Sequence, residues 1–317
     1  MAQHPGNRQP PPQVPTGPKM RTQSRRAQSR SDKARQEDMA RHKRWNQSRL
    51  AIPYSTDGPK VTLGIIWFGL VLLVPSALIL FSQAQFAAPF IALVFSTVAG
   101  LAGLQIANTW LGSAAESRSA AGLGAFLLAF SSFFGLVAIP VGALAAFVMV
   151  LVGAALTKDG AKTFAQVMGI MIRSIFPVGI AAASAITIAV REVEVGSGFE
   201  VFIALILVIS AYEIGDFIVG SGAHNAFEGP IAGFIALVVV TLGIFLFPPA
   251  ALPSDLVFFA VLGLITGISG IIGQMFASIL LPRPTSWAPA LRRLDSYLLA
   301  APIWLGIMIV LELAGQA

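Results

Sequence analysis

The chain has 317 residues, of which 56% are hydrophobic and only 11% charged, with no cysteine and a formal net charge of +6. This composition excludes an ordinary soluble domain, in which about a quarter of residues carry charge, and the missing cysteines exclude a disulfide scaffold, thiolate metal ligation and a Cys nucleophile. The charge is also uneven: residues 1–60 hold 13 Lys/Arg and four acids, a surplus of nine positive charges, whereas residues 61–317 hold eight Lys/Arg and eleven acids.

Residues 1–60 are rich in Pro, Gln, Ser and Arg and lack an aliphatic run, so they cannot bury enough apolar surface to offset chain entropy. They read as a disordered basic tail. Ser31 to Leu50 reads as a basic helix, with Ser31 or Asp32 as its N-cap and Met39, Trp45 and Leu50 as sparse apolar contacts. Because the tail abuts an apolar run, anionic lipid head groups are the expected partner and nucleic acid is not. The first apolar run begins at about Val61, too late for a secretory signal peptide.

From Val61 onward, apolar runs of bilayer length follow one another, each needing about 20 residues to cross the hydrocarbon. Nine are expected: 62–82, 87–109, 121–138, 140–156, 164–190, 200–219, 230–248, 254–280 and 295–314. Only Ile139 and Pro140 separate the third from the fourth. The predicted class is therefore all-α: a polytopic integral membrane protein of about nine helices over residues 61–317. The loops after even-numbered spans contain Arg118, Lys158, Lys162, Arg283, Arg292 and Arg293, and the opposite side only Arg191. By the positive-inside rule the tail is cytoplasmic and the C-terminus outside, in the cell membrane.

Charged side chains within a span cost about 2.5 kcal/mol or more and normally face a partner or a cavity. Arg173 lies inside the fifth span, close to Pro177, and Glu213 and Asp216 share one face of the sixth, beside Tyr212. An ion pair between Arg173 and one of these acids is one reading and substrate binding the other. In the eighth span, Gly263, Gly267, Gly270, Gln274 and Ala277 form one small-residue face suited to close packing. Gln274 breaks that face with an amide that wants partners. The same face permits a homodimer, and Glu312, near the end of the last span, is expected to reach the membrane–water interface.

The order Ala211-Tyr212-x-x-Gly215, then Glu228-Gly229-x-x-x-Gly233, then Gly273-x-x-x-x-Ser278, then Arg293-x-Asp295-Ser296-x-x-x-x-Ala301-Pro302 resembles the bacterial CDP-diacylglycerol synthase family, the phosphatidate cytidylyltransferases, best over about residues 165–305. The resemblance implies a multi-span fold and transfer of a cytidylyl group from CTP to phosphatidate, releasing pyrophosphate, with Mg2+ as cofactor. It implies Asp295, Arg293 and Glu228 as catalytic residues. Asp295, Asp216 and Glu213 would be metal ligands, and Arg292, Ser296, Tyr212, His224, Asn225, Gln274 and Arg173 would contact substrate. Joining phosphate groups gathers negative charge that metals and arginines must neutralise. His224 alone reads as a solvated loop residue.

Gln274 and Ala277 stand where the family has carboxylates, and Arg292-Arg293 where it has Asp-Arg. These departures motivate an alternative, a catalytically silent homologue that binds an anionic lipid or a membrane partner. A third reading, a small-solute transporter, rests on Arg173, Glu213 and Asp216 together with Pro/Gly-interrupted helices.

Overall fold

The computed structural model describes residues 65–80, 86–112, 115–157, 162–191, 198–220 and 227–315. The expected tail, its basic helix, His224 and Asn225 lie outside the described residues. What is described is helical, without a strand among the described residues.

A π-helical stretch, Gly69–Leu73, leads into α1 (Val74–Leu80). Pro75 has no N–H to offer the carbonyl of Val71, and just before it the ladder widens, with the Val74 N–H donating to the Gly69 carbonyl. Then come α2 (Ala87–Leu111), α3 (Ala115–Ser131), two short 3-10 turns, α4 (Ile139–Leu156), α5 (Phe164–Val190), α6 (Gly198–Gly220), α7 (Glu228–Leu246), α8 (Leu256–Leu280), the single turn α9 (Leu291–Leu294) and α10 (Tyr297–Leu313). Seven helical stretches among the described residues are long and apolar enough to cross a membrane, the last running from Leu291 through α10. The protein is a multi-pass membrane protein by this criterion.

The boundary between the third and fourth stretches differs from the expected one. α3 covers Ala115–Ser131 instead of 121–138, and the chain breaks at Gly135, whose φ of 93° is open to glycine alone. Pro140 does not separate the two stretches. It sits in the first turn of α4, where its missing N–H costs nothing.

Helix α5 is central and α4 peripheral: 61% of the α5 span is buried within the chain against 22% for α4. α5 packs against α2, α3, α4, α6 and α10, and α6 pairs with α7 as a hairpin. Its start is fixed by a capping box, in which the Thr163 hydroxyl accepts from the Gln166 N–H and the Gln166 side chain accepts from the Thr163 N–H.

Small residues let these backbones approach. An added Cβ on Gly103 would lie 3.0 Å from the Ser174 carbonyl oxygen, joining α2 to α5, and one on Gly215 would lie 2.9 Å from the Gly233 Cα, joining α6 to α7. The glycine face of α8 is filled within the chain. Gly263 meets Thr241 and Gly267 meets Phe234 of α7, while Gly270 meets Tyr212 of α6.

At the membrane end opposite the Arg292–Asp295 segment, Arg191, the residue following α5, is ion-paired with Glu312 in the last turn of α10. Glu312, expected at the membrane interface, thus stands at the end of its helix with a definite partner.

Candidate functional site

Three segments converge at one membrane end: the second half of α6, the last turns of α8, and the stretch from α9 into α10. They carry Tyr212, Glu213 and Asp216; Gln274 and Ser278; and Arg292, Arg293, Asp295 and Ser296. The join is made by close backbone packing, since a Cβ on Gly273 would fall 2.4 Å from the Asp295 carbonyl oxygen. Only a glycine on α8 lets the Asp295–Ser296 backbone lie against it.

The polar groups here form two layers. In the deeper one, Gln274 bridges α8 to α6. Its Nε2 donates to Asp216 Oδ2 at 3.3 Å, and its Oε1 accepts from the Tyr212 hydroxyl at 3.4 Å. All three residues are buried, so the amide supplies both donor and acceptor where water is excluded.

In the second layer Arg292 spans α8 and the Pro282–Ala290 loop. Nη1 donates to Ser278 Oγ at 3.2 Å and Nη2 to the Pro284 carbonyl at 2.8 Å, and Nη1 lies 3.7 Å from Asp295 Oδ2. Asp295 Oδ1 accepts the Ser296 backbone N–H at 2.8 Å. Arg292 is thus committed to holding the loop and Asp295 in place.

Three atoms beside these layers are not committed. Glu213 Oε1, Arg293 Nε and Ser296 Oγ are buried and close no hydrogen bond of normal length, although the Glu213 and Ser296 side chains lie near enough to interact with each other. They belong together, because Glu213 lies within hydrogen-bonding reach of the Ser296 side chain and within electrostatic range of Arg293, Asp295 and Asp216. The trio offers one acceptor, one cationic donor and one hydroxyl that can do either. Buried polar atoms without partners are uncommon, and three in one place mark a spot where a ligand can complete them.

Two described candidates remain, Glu228 and Arg173. Glu228 opens α7, half-buried, where a carboxylate suits the positive helix end. Arg173 pairs with neither Glu213 nor Asp216: its guanidinium stands over the Trp110 ring, 5.0 Å from the centroid. The reading of Arg173 as ion-pair partner to the α6 acids is therefore replaced by a cation–π contact with α2. No spacing rule links residues so far apart in sequence, and Trp110 gave no signal beyond its position near a span end.

A metal does not fit the described carboxylates. Among the described residues no three His, Asp or Glu side chains gather as a metal-holding group. Of the three acids at the site, Asp216 accepts from the Gln274 amide, and Asp295 accepts from its neighbour's backbone and faces Arg292. At Asp216 and Asp295 donors stand where a divalent cation would need free oxygens, and Glu213 alone does not make a metal site.

Protein-family models, curated proteins and solved structures give no match to this chain. The site is accordingly read from its own residues.

Proposed function

We propose that this is a membrane-embedded phospholipid-binding protein that holds a head group at the Glu213–Arg293–Ser296 trio without metal-dependent nucleotidyl transfer. The observation that carries this reading is the set of three buried atoms of complementary type that close no hydrogen bond of normal length. Arg293 and the Ser296 hydroxyl suit phosphate oxygens, as charge-assisted and neutral donors respectively. Glu213 suits a head-group hydroxyl or ammonium. Two guanidiniums, Arg292 and Arg293, lie among acidic side chains at this site, which suits a phosphate adjoining a hydrogen-bond donor.

The reading includes a topology of nine crossings. The shorter α3, of 17 residues, and the stretch from Ile65 add two to the seven longer helices. The N-terminus is then cytoplasmic, the C-terminus outside, and the trio lies at the cytoplasmic end of the cell membrane. The basic tail adds attraction to anionic lipid on the same side.

The test is mass spectrometry of lipids retained by the purified full-length protein. A phospholipid with a donor-bearing head group should be enriched over the bulk membrane, and Arg293→Ala and Glu213→Gln should each abolish the enrichment. Equal lipid profiles for the wild type and both variants would overturn the reading. Magnesium-dependent incorporation of CTP into phosphatidate by the same preparation would replace it with the cytidylyltransferase activity that the sequence resemblance implies.

A further inference from the structure

A second charged group in the bundle is left without a carboxylate, and its surroundings differ from the trio's. Arg173 is the tenth residue of α5, roughly 13 Å of helix rise from Phe164. At that depth an arginine needs compensation. Among the described residues it closes no ion pair, the recorded ones being Arg191–Glu312 and Arg292–Asp295. None of its nitrogens is among the buried unpartnered atoms, and the residue is only half-buried. Its guanidinium is therefore open to whatever surrounds the bundle there.

The structure around it is prepared on three sides. The Trp110 ring forms one wall at 5.0 Å, and it is held in place because its Nε1–H donates to the Leu280 carbonyl at 2.8 Å, locking α2 to the end of α8. Helical side chains lean toward the helix N-terminus, so Arg173 leans toward Gly169, one turn earlier on the same face, where an added Cβ would meet nothing within 4 Å. Two turns deeper on that face, Ile180 is 44% exposed. One stripe of α5 thus runs from an open notch, through a cation, to an exposed aliphatic surface.

We infer that Arg173, backed by Trp110 and the Gly169 notch, binds the phosphate of an anionic lipid whose acyl chain lies along Ile180. The occupant is a lipid, not a free phosphate, because the exposed apolar continuation points into the bilayer. The long side chain carries its charge toward the head-group level while its stem stays in hydrocarbon. The ring face stabilises the cation without neutralising it, which leaves the charge available to a phosphate. This site is separate from the trio on α6 and α10 and does not depend on it.

The test uses the full-length protein in phosphatidylcholine vesicles, with Trp45→Phe in every protein compared so that the basic tail's own tryptophan does not report its attraction to anionic lipid, and compares quenching of tryptophan fluorescence by brominated phosphatidylglycerol and by brominated phosphatidylcholine at equal fractions. The wild type should show excess quenching by the anionic lipid, corresponding to about a fivefold preference for it. Trp110→Phe should remove the excess while leaving the unselective quenching of the other tryptophans, and Arg173→Gln should equalise the two lipids. Arg293→Ala should keep the excess, which separates this site from the trio. If Arg173→Gln fails to fold, loss of the excess in Trp110→Phe and its decline with salt in the wild type decide in favour. An excess that survives Trp110→Phe, no excess in the wild type, or its displacement by soluble glycerol phosphate would each overturn the assignment.

Discussion

Gln274 on α8 donates its side-chain amide to Asp216 on α6 at 3.3 Å, and the same amide accepts from Tyr212. One residue therefore satisfies a buried carboxylate and a buried phenol at once. Gln274→Leu keeps the volume but removes both functions, leaving Asp216 without that donor. Interhelical hydrogen bonds in membranes contribute about 0.6 to 1.7 kcal/mol each, so a loss of about 1 to 3 kcal/mol is expected. Thermal unfolding in detergent should show a lower Tm, and the double variant Gln274→Leu/Asp216→Leu should recover part of it, because the carboxylate that lost its Gln274 donor is then gone as well.

The helices were legible in the sequence because bilayer-length apolar runs leave few alternatives; the expected 164–190 and the observed Phe164–Val190 coincide. The break between α3 and α4 was not. Proline is the more conspicuous punctuation, yet Pro140 in a first turn is harmless and Gly135 makes the bend. Arg173 was legible as costly but not as Trp110's partner, since only packing of α2 on α5 brings them together. The glycines of the motif-like segments were legible as a pattern, and in the fold Gly215, Gly233 and Gly273 sit where backbones touch. Which polar atoms near them stay unpartnered depends on side-chain directions that spacing does not encode.

Gly233 and Gly243 lie on the same helix in opposite circumstances. A Cβ on Gly233 would stand 2.6 Å from the Tyr212 carbonyl oxygen and 2.9 Å from its ring, whereas one on Gly243 would meet nothing within 4 Å. Gly233→Ala forces α7 away from α6 and should cost about 1 to 3 kcal/mol. Gly243→Ala should be neutral or stabilising by up to about 1 kcal/mol, since alanine is the better helix former. Paired melting curves check both, and equal shifts would refute the packing argument.

Gly135 tests backbone conformation apart from space. Its φ is 93° and its surroundings are open, so Gly135→Ala meets no atom yet enters a region that L-residues avoid. A cost of about 1 to 3 kcal/mol is expected. Gly306→Ala, in α10 with equally open space and no positive φ, serves as the control and should not destabilise. Of the two variants, only Gly135→Ala should show a lowered denaturation midpoint.

Arg292 reaches three acceptors from one guanidinium: the Ser278 hydroxyl, the Pro284 carbonyl and, at 3.7 Å, Asp295. A lysine ammonium cannot reproduce that fork. Arg292→Lys should therefore behave nearly as badly as Arg292→Ala, each costing about 2 to 4 kcal/mol because Asp295 and the loop lose a fixed partner. If Arg292 only supplied charge, the lysine variant would retain wild-type stability. Limited proteolysis gives the second readout. The Pro282–Ala290 loop, held at one end by Arg292 and at the other by the Ala290 N–H donating to Gln105 Oε1 at 2.9 Å, should become the first cleavage site in both variants and stay protected in the wild type.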